Sequence, residues 1–242
     1  MTVMAILQAR MSSRRLPGKV LAPVLGQPMI QRQIERIRHA RLIDRLVIAT
    51  SAMTDDDAIA EFCQAIGQPC HRGPLDDVLG RFVGALDAYG PADHVVRLTA
   101  DCPLIDWTII DRCVSEHVAH GADCTSNAIV RSFPDGLDVE VMRSGALRAA
   151  NAEAQDTQSR EHVTPFIYAN ADRFQIRHVK QSVDLAALRW TVDNPDDLAF
   201  VREVYDHLYA RNPMFTSDEI LALPFGQRLA PDQVGVAEPD DN

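Results

Sequence analysis

Between Arg10 and Lys19 the chain places four cations, Arg10, Arg14, Arg15 and Lys19, beside Ser12, Ser13 and a Pro17-Gly18 turn. The whole protein is acidic, with a formal net charge of −10 over 242 residues. A local excess of positive charge in such a chain asks for an anionic ligand. Arginine offers phosphate oxygens a planar fork of donors, and lysine offers a mobile point charge. Ser12, Ser13 and Gly18 allow backbone N–H groups to come close to the same anion. The run follows the apolar segment Ala5-Ile6-Leu7, which places it at the carboxyl end of a first strand, where open α/β sheets bind ligands. Triphosphate binding suits this composition; a solvated basic surface loop is the alternative.

Two aspartates stand at comparable places later in the chain. Asp101 follows the apolar run His94 to Thr99, and Asp193 follows Arg189 to Val192. A carboxylate at a strand end can hold a divalent cation, and Mg²⁺ takes one or two carboxylates together with phosphate oxygens and waters. The competing reading of each is a turn or helix cap, which is how Asp106 before Trp107 reads, and likewise Asp196 and Asp197 after Pro195. His162 has two readings, a general base or a histidine that packs or contacts an acceptor. Neither the Walker pattern G-x-x-x-x-G-K-[ST] nor G-x-G-x-x-G occurs, which argues against a P-loop or a dehydrogenase site.

The elements that must position these residues alternate. Strands are expected at Met4 to Gln8, Arg45 to Thr50, Pro69 to Gly73 and His94 to Thr99. Helices are expected at Pro28 to His39, after a Thr54 cap with the acid run Asp55-Asp56-Asp57 in its first turn, and at Leu75 to Tyr89. That acid run reads as helix capping alone. Repeated strand–helix alternation implies parallel strands joined by right-handed crossovers. After Gly121 the pattern loosens into shorter strands at 123–128, 137–142, 174–179 and 189–192, a short helix at 144–151, a mixed-charge cluster at 160–168 and helices from Pro195 and Ser217. The expected organisation is one α/β domain over residues 1–225. Residues 130–170 would form an acceptor-binding or dimer arm, and the polar stretch 226–242 a disordered tail. No segment is apolar enough to span a membrane, no signal region is apparent, and the five cysteines lack C-x-x-C spacing. These features suit a cytoplasmic protein, and the acidic charge disfavours nucleic acid or anionic membrane as a partner.

The stretch Ala9 to Lys19 resembles the A-R-x-x-S-x-R-L-P-G-K loop of the sugar cytidylyltransferases. These include the CMP-sialate and CMP-KDO synthetases and the spore coat polysaccharide biosynthesis group, to which it is most similar. His71 to Phe82 is similar to that group's R-G-x-x-D-D-V-L-x-R-F segment, and Arg97 to Leu104 to its R-x-T-x-D-C-P-L strand end. Gly136 to Glu140, Arg160 to Val163 and Val192 to Leu198 resemble later family motifs. The resemblance implies a Rossmann-like, GT-A-type α/β nucleotidyltransferase, with a mostly parallel sheet flanked by helices, that acts as a homodimer. It would use CTP and Mg²⁺, transfer CMP to a small acidic sugar or phosphonate-like acceptor, and release pyrophosphate. On this resemblance Arg10, Ser12, Ser13, Arg15, Gly18 and Lys19 contact the CTP phosphates, with Lys19, Arg15 and Asp101 catalytic. Arg14 is the variable residue and is expected to point away. Arg72, Asp76, Asp77 and Arg81 flank the nucleotide pocket. Asp101 and Asp193 hold the metal, and Asp138, Glu140, Arg160, Glu161 and His162 line the acceptor pocket.

Overall fold

The computed structural model describes residues 1–230. Its first half follows the expected alternation. Strand β1 (Val3–Gln8) leads through the basic loop and a two-strand hairpin, β2 (Pro23–Val24) and β3 (Gln27–Pro28), into helix α1 (Met29–Ile37). Then come β4 (Arg45–Ser51), α2 (Asp57–Ala65), β5 (Cys70–Gly73), α3 (Val78–Tyr89), β6 (His94–Thr99) and α4 (Trp107–His120). The second half holds β7 (Cys124–Ser126), β8 (Glu140–Arg143), α5 (Ser144–Glu153), α6 (Thr157–His162) and α7 (Pro165–Ala169). It closes with β9 (Ile176–His178), α8 (Pro195–Leu208) and α9 (Ser217–Leu221).

Seven strands form one sheet in the order β5-β4-β1-β6-β8-β7-β9. All neighbours run parallel except β8, which is antiparallel to both β6 and β7. Both faces of the sheet are covered, so the central strands are apolar on both sides. Ala5, Leu7, Ile48 and Leu98 pack with α1, α4 and α8 on one face. Met4, Ile6, Val47 and Val95 pack with α3 and α5 on the other. The chain winds outward from β1 through β4 to β5, then returns across β1 to β6. The C-terminal ends of β1 and β6 therefore flank a topological switch point, the place where such sheets bind ligands.

Three expectations about the second half change. Residues 189–192 form no ladder strand; Arg189 makes a single bridge to Asp135, and the segment crosses the carboxyl end of the sheet instead. Residues 130–170 contain β8, a central strand, with α5 and α6 packed on α3, so this stretch is built into the domain. The expected tail begins as packed chain: Trp190 Nε1 donates to Gly226 O at 2.9 Å, and Arg228 pairs with the fully buried Asp197 at 2.7 Å. The remainder of that tail, residues 231–242, lies outside the described residues.

Candidate functional site

The basic loop closes on one carbonyl. Ser13 N and Gly18 N both donate to Met11 O, at 2.9 and 3.0 Å. Gly18 makes the turn possible through a left-handed φ of 72°, which an L side chain would strain. These two amides are therefore engaged inside the loop and are not the anion donors anticipated from the sequence. The loop presents side chains instead: Arg10, Ser12, Ser13, Arg14, Arg15 and Lys19 all line a cleft of about 950 Å³. Arg14, expected to point away, is among them. Behind the loop stands Asp56, 1% exposed, whose two carboxylate oxygens accept Met11 N at 2.7 Å and Ser51 N at 3.0 Å. Its role is to tie the loop to the end of β4, and not the capping assigned to the acid run.

Asp101 and Asp193 meet at the same ammonium. Lys19, itself buried, places Nζ 3.7 Å from Asp101 Oδ2 and 3.1 Å from Asp193 Oδ1. The segment that carries Asp193 is pinned to the Asp101 backbone: Val192 N donates to Asp101 O at 2.8 Å, and Lys19 Nζ donates to Val192 O at 2.5 Å. Asp193 Oδ2 also accepts from Arg15 at 2.8 Å and from Arg189 at 2.5 Å. Burial works against ionisation of this carboxyl, but Arg189, Lys19 and Arg15 outweigh it and hold it below the ordinary carboxylate range. Two carboxylates converging on one cation form a hard oxygen donor set, which fits Mg²⁺ if phosphate oxygens complete the shell. Among the described residues there is no group of three or more acidic, histidine or cysteine ligands, so a metal here would depend on such completion.

The rest of the cleft comes from β1, β6, α3 and α6. Gln8, Arg97 and Thr99 line it, as do Leu75, Asp76, Val78 and Arg81 on one wall and Glu161 and His162 on another. His162 is exposed, and the buried Val163 after it takes a strained positive φ of 72° at the corner before α7. Arg97 donates Nε to Gln8 Oε1 at 3.0 Å and pairs with Glu140 across the β6–β8 ladder. Glu140 also accepts from Thr164 at 2.9 Å and from Tyr168.

Several expected contacts are thus structural. Glu140 lies behind Arg97 and does not line the cleft. Asp138 is held bidentately by Arg131, at 2.7 and 2.9 Å, and burial raises its pKa despite that partner. Asp77 caps α3 through Gly80 N at 2.8 Å and pairs with Arg160, joining α3 to α6. Arg72 bonds to Ser51 O and Met53 O and pairs with Asp57 at 2.6 Å, outside the cleft. Arg97 and Thr99 were missed, although the period of two along β6 puts both on the face that Asp101 continues.

A mostly parallel sheet with a basic loop after β1 and paired aspartates at the switch point defines a Rossmann-like nucleotidyltransferase. A sequence-family model described as "Cytidylyltransferase" matches residues 4–209. The spore coat polysaccharide biosynthesis protein SpsF of Bacillus subtilis is 30% identical over 228 residues, covering 91% of this chain and 93% of that protein. The 3-deoxy-manno-octulosonate cytidylyltransferase of Geobacter sulfurreducens is 36% identical over 147 residues, covering 59% of this chain and 57% of the enzyme. Among solved structures, a cytidylyltransferase from Leptospira borgpetersenii superposes with a TM-score of 0.86 at 27% identity, covering 91% of this chain and 92% of the other. The chain belongs to the cytidylyltransferase family, among its sugar cytidylyltransferases, and is a nucleotidyltransferase. Among the described residues no helix is long and apolar enough to cross a membrane.

Proposed function

We propose that this protein transfers CMP from CTP to a small acidic sugar or related acceptor and releases pyrophosphate, as a step toward a surface polysaccharide or glycoconjugate. The observation that carries the reading is Lys19 held between Asp101 and Asp193 at the mouth of a cleft lined by the basic loop. The acceptor oxygen attacks the α-phosphorus. Its new bond to phosphorus forms as the bond to the bridging oxygen breaks, the electron pair leaves with pyrophosphate, and the acceptor's proton passes to solvent. The protein's part is mainly position and charge. Arg10 and Arg14 have no ion-pair partner among the described residues and are available to the phosphates. Arg15 and Lys19 give up Asp193 as the triphosphate enters and neutralise the leaving pyrophosphate. Asp101 and Asp193 would hold Mg²⁺, which when bound supplies Lewis-acid stabilisation of the phosphoryl oxygens. Glu161 and His162, which line the same cleft, contact the acceptor.

The family resemblance also supports a homodimer working in the cytoplasm. The test is pyrophosphate release from CTP with Mg²⁺ over a panel of acidic sugars, sugar phosphates and small phosphonates. Release that needs both CTP and one acceptor class is the expected result. A panel in which no acceptor raises release above the CTP-only background contradicts the proposal.

A further inference from the structure

Arg81 lines the cleft from α3 yet is only 2% exposed, and its Nε and Nη1 have no hydrogen-bond partner. A buried guanidinium without acceptors is destabilising. Burial lowers its pKa; the charges of Asp56 and Asp77 oppose the drop, and that of Arg10 adds to it. The adjacent carboxylates are committed elsewhere. Asp56 gives both oxygens to Met11 N and Ser51 N, and Asp77 serves Gly80 N and Arg160. The stem of Arg81 is fixed by the close approach of β5: a Cβ on Gly73 would lie 3.1 Å from Arg81 Cβ and Cγ. Leu75, half-buried, lines the same cleft and offers apolar surface to a flat ring.

We infer that Arg81 reads the nucleobase, its guanidinium fork donating to the adjacent acceptors O2 and N3 of cytosine. The inference rests on the CTP reading given above. Among the pyrimidine bases cytosine presents two neighbouring acceptors, whereas uracil and thymine place an N3–H donor beside O2, which would face another donor. Guanine offers such a pair at O6 and N7. Buried donors reject strongly a base that leaves them unpaired, as uracil and thymine would.

The test is calorimetric titration of the full chain and of Arg81→Met and Arg81→Lys with CTP, UTP, GTP and inorganic tripolyphosphate, all with Mg²⁺. The wild type should prefer CTP over UTP by about 10- to 100-fold, the discrimination of a bidentate base contact. Arg81→Met should bind CTP no better than UTP and keep the wild-type affinity for tripolyphosphate. Its ligand-free melting temperature should not fall, because an apolar side chain replaces an unpaired buried charge. Arg81→Lys, which keeps the charge without the fork, should lose the same preference and serves if the methionine variant does not fold. Equal weakening toward CTP, UTP and tripolyphosphate would make Arg81 a phosphate cation and overturn the inference. An unchanged CTP preference in both variants would overturn it while leaving the CTP reading intact. A wild type that prefers GTP, or has no preference, would overturn both.

Discussion

Lys19 joins Asp101 and Asp193 from a buried position, so each member of the trio has a separable effect. Asp101→Ala removes a carboxylate at the cleft mouth, about one-third exposed, and leaves Lys19 with Asp193 and Val192 O. The variant should melt within a few degrees of wild type yet lose about a thousandfold or more in turnover, the scale of several kcal/mol of metal stabilisation. Near-normal pyrophosphate release would remove Asp101 from the reaction. Lys19→Met should weaken CTP binding by about 10-fold or more, as loss of a charge-assisted phosphate contact does, and titration with CTP reads it. Side-chain chemistry in the cleft was legible where charge followed an apolar run: Arg10 and Lys19 in the basic loop after β1, Asp101 after β6, and Asp193 after the segment 189–192. It was not legible where a charged residue had an internal partner. Asp77, Asp138, Glu140, Arg160 and Arg72 sit in segments like the family's motifs, but whether a carboxylate faces a ligand or another arginine is decided by tertiary contacts such as Asp138 with Arg131.

At the scale of elements, the basic loop depends on Asp56, which sits in the short turn before α2. Asp56→Ala leaves Met11 N and Ser51 N without their buried acceptor, which should cost about 1–3 kcal/mol of stability per the penalty for an unmet buried donor. CTP affinity should fall with it although Asp56 does not line the cleft. Chemical denaturation together with CTP titration checks both, and a stability loss with unchanged CTP binding would contradict the anchoring role. The strands and helices through β6 were readable because continuous apolar runs and 3.6-residue spacing dominate there. Later elements were harder. β7 and β9 have three residues each, α6 and α7 are one or two turns, and β8 runs against its neighbours. The apolar segment 189–192 has the composition of a strand because Trp190 and Val192 are fully buried, but it meets no partner ladder and serves as the strap that carries Asp193 to Asp101.

For the whole molecule, a net charge of −10 coexists with a cleft lined by Arg10, Arg14, Arg15, Lys19, Arg81 and Arg97, so attraction of a polyanion would rest on local field and not on net charge. A second whole-molecule property is acid sensitivity. Buried His117 contacts His94 at 3.0 Å and Thr125 at 2.9 Å, and burial, aided by His94 and Arg143, lowers its pKa from 6.5 to about 4. The unfolded chain thus binds the proton first as pH falls, so the contribution is complete above pH 6.5 and is lost down to about pH 4. The drop from 6.5 to about 4 corresponds to about 3 kcal/mol. His94 and His71 are lowered too and act in the same direction. Denaturation midpoints measured from pH 7.5 to 4.5 should fall more steeply for wild type than for His117→Gln; parallel slopes would contradict this. The central claim is that the basic loop and paired aspartates bind CTP with Mg²⁺. Its most direct test is thermal unfolding of the full chain with CTP, UTP, GTP and dTTP, each with and without Mg²⁺. A ligand at about a hundred times its dissociation constant stabilises by about 2.7 kcal/mol, a clear rise in melting temperature. The largest, Mg²⁺-enhanced rise is expected with CTP; a larger rise with another nucleotide, or none with any, would rule out CTP as the ligand of this site.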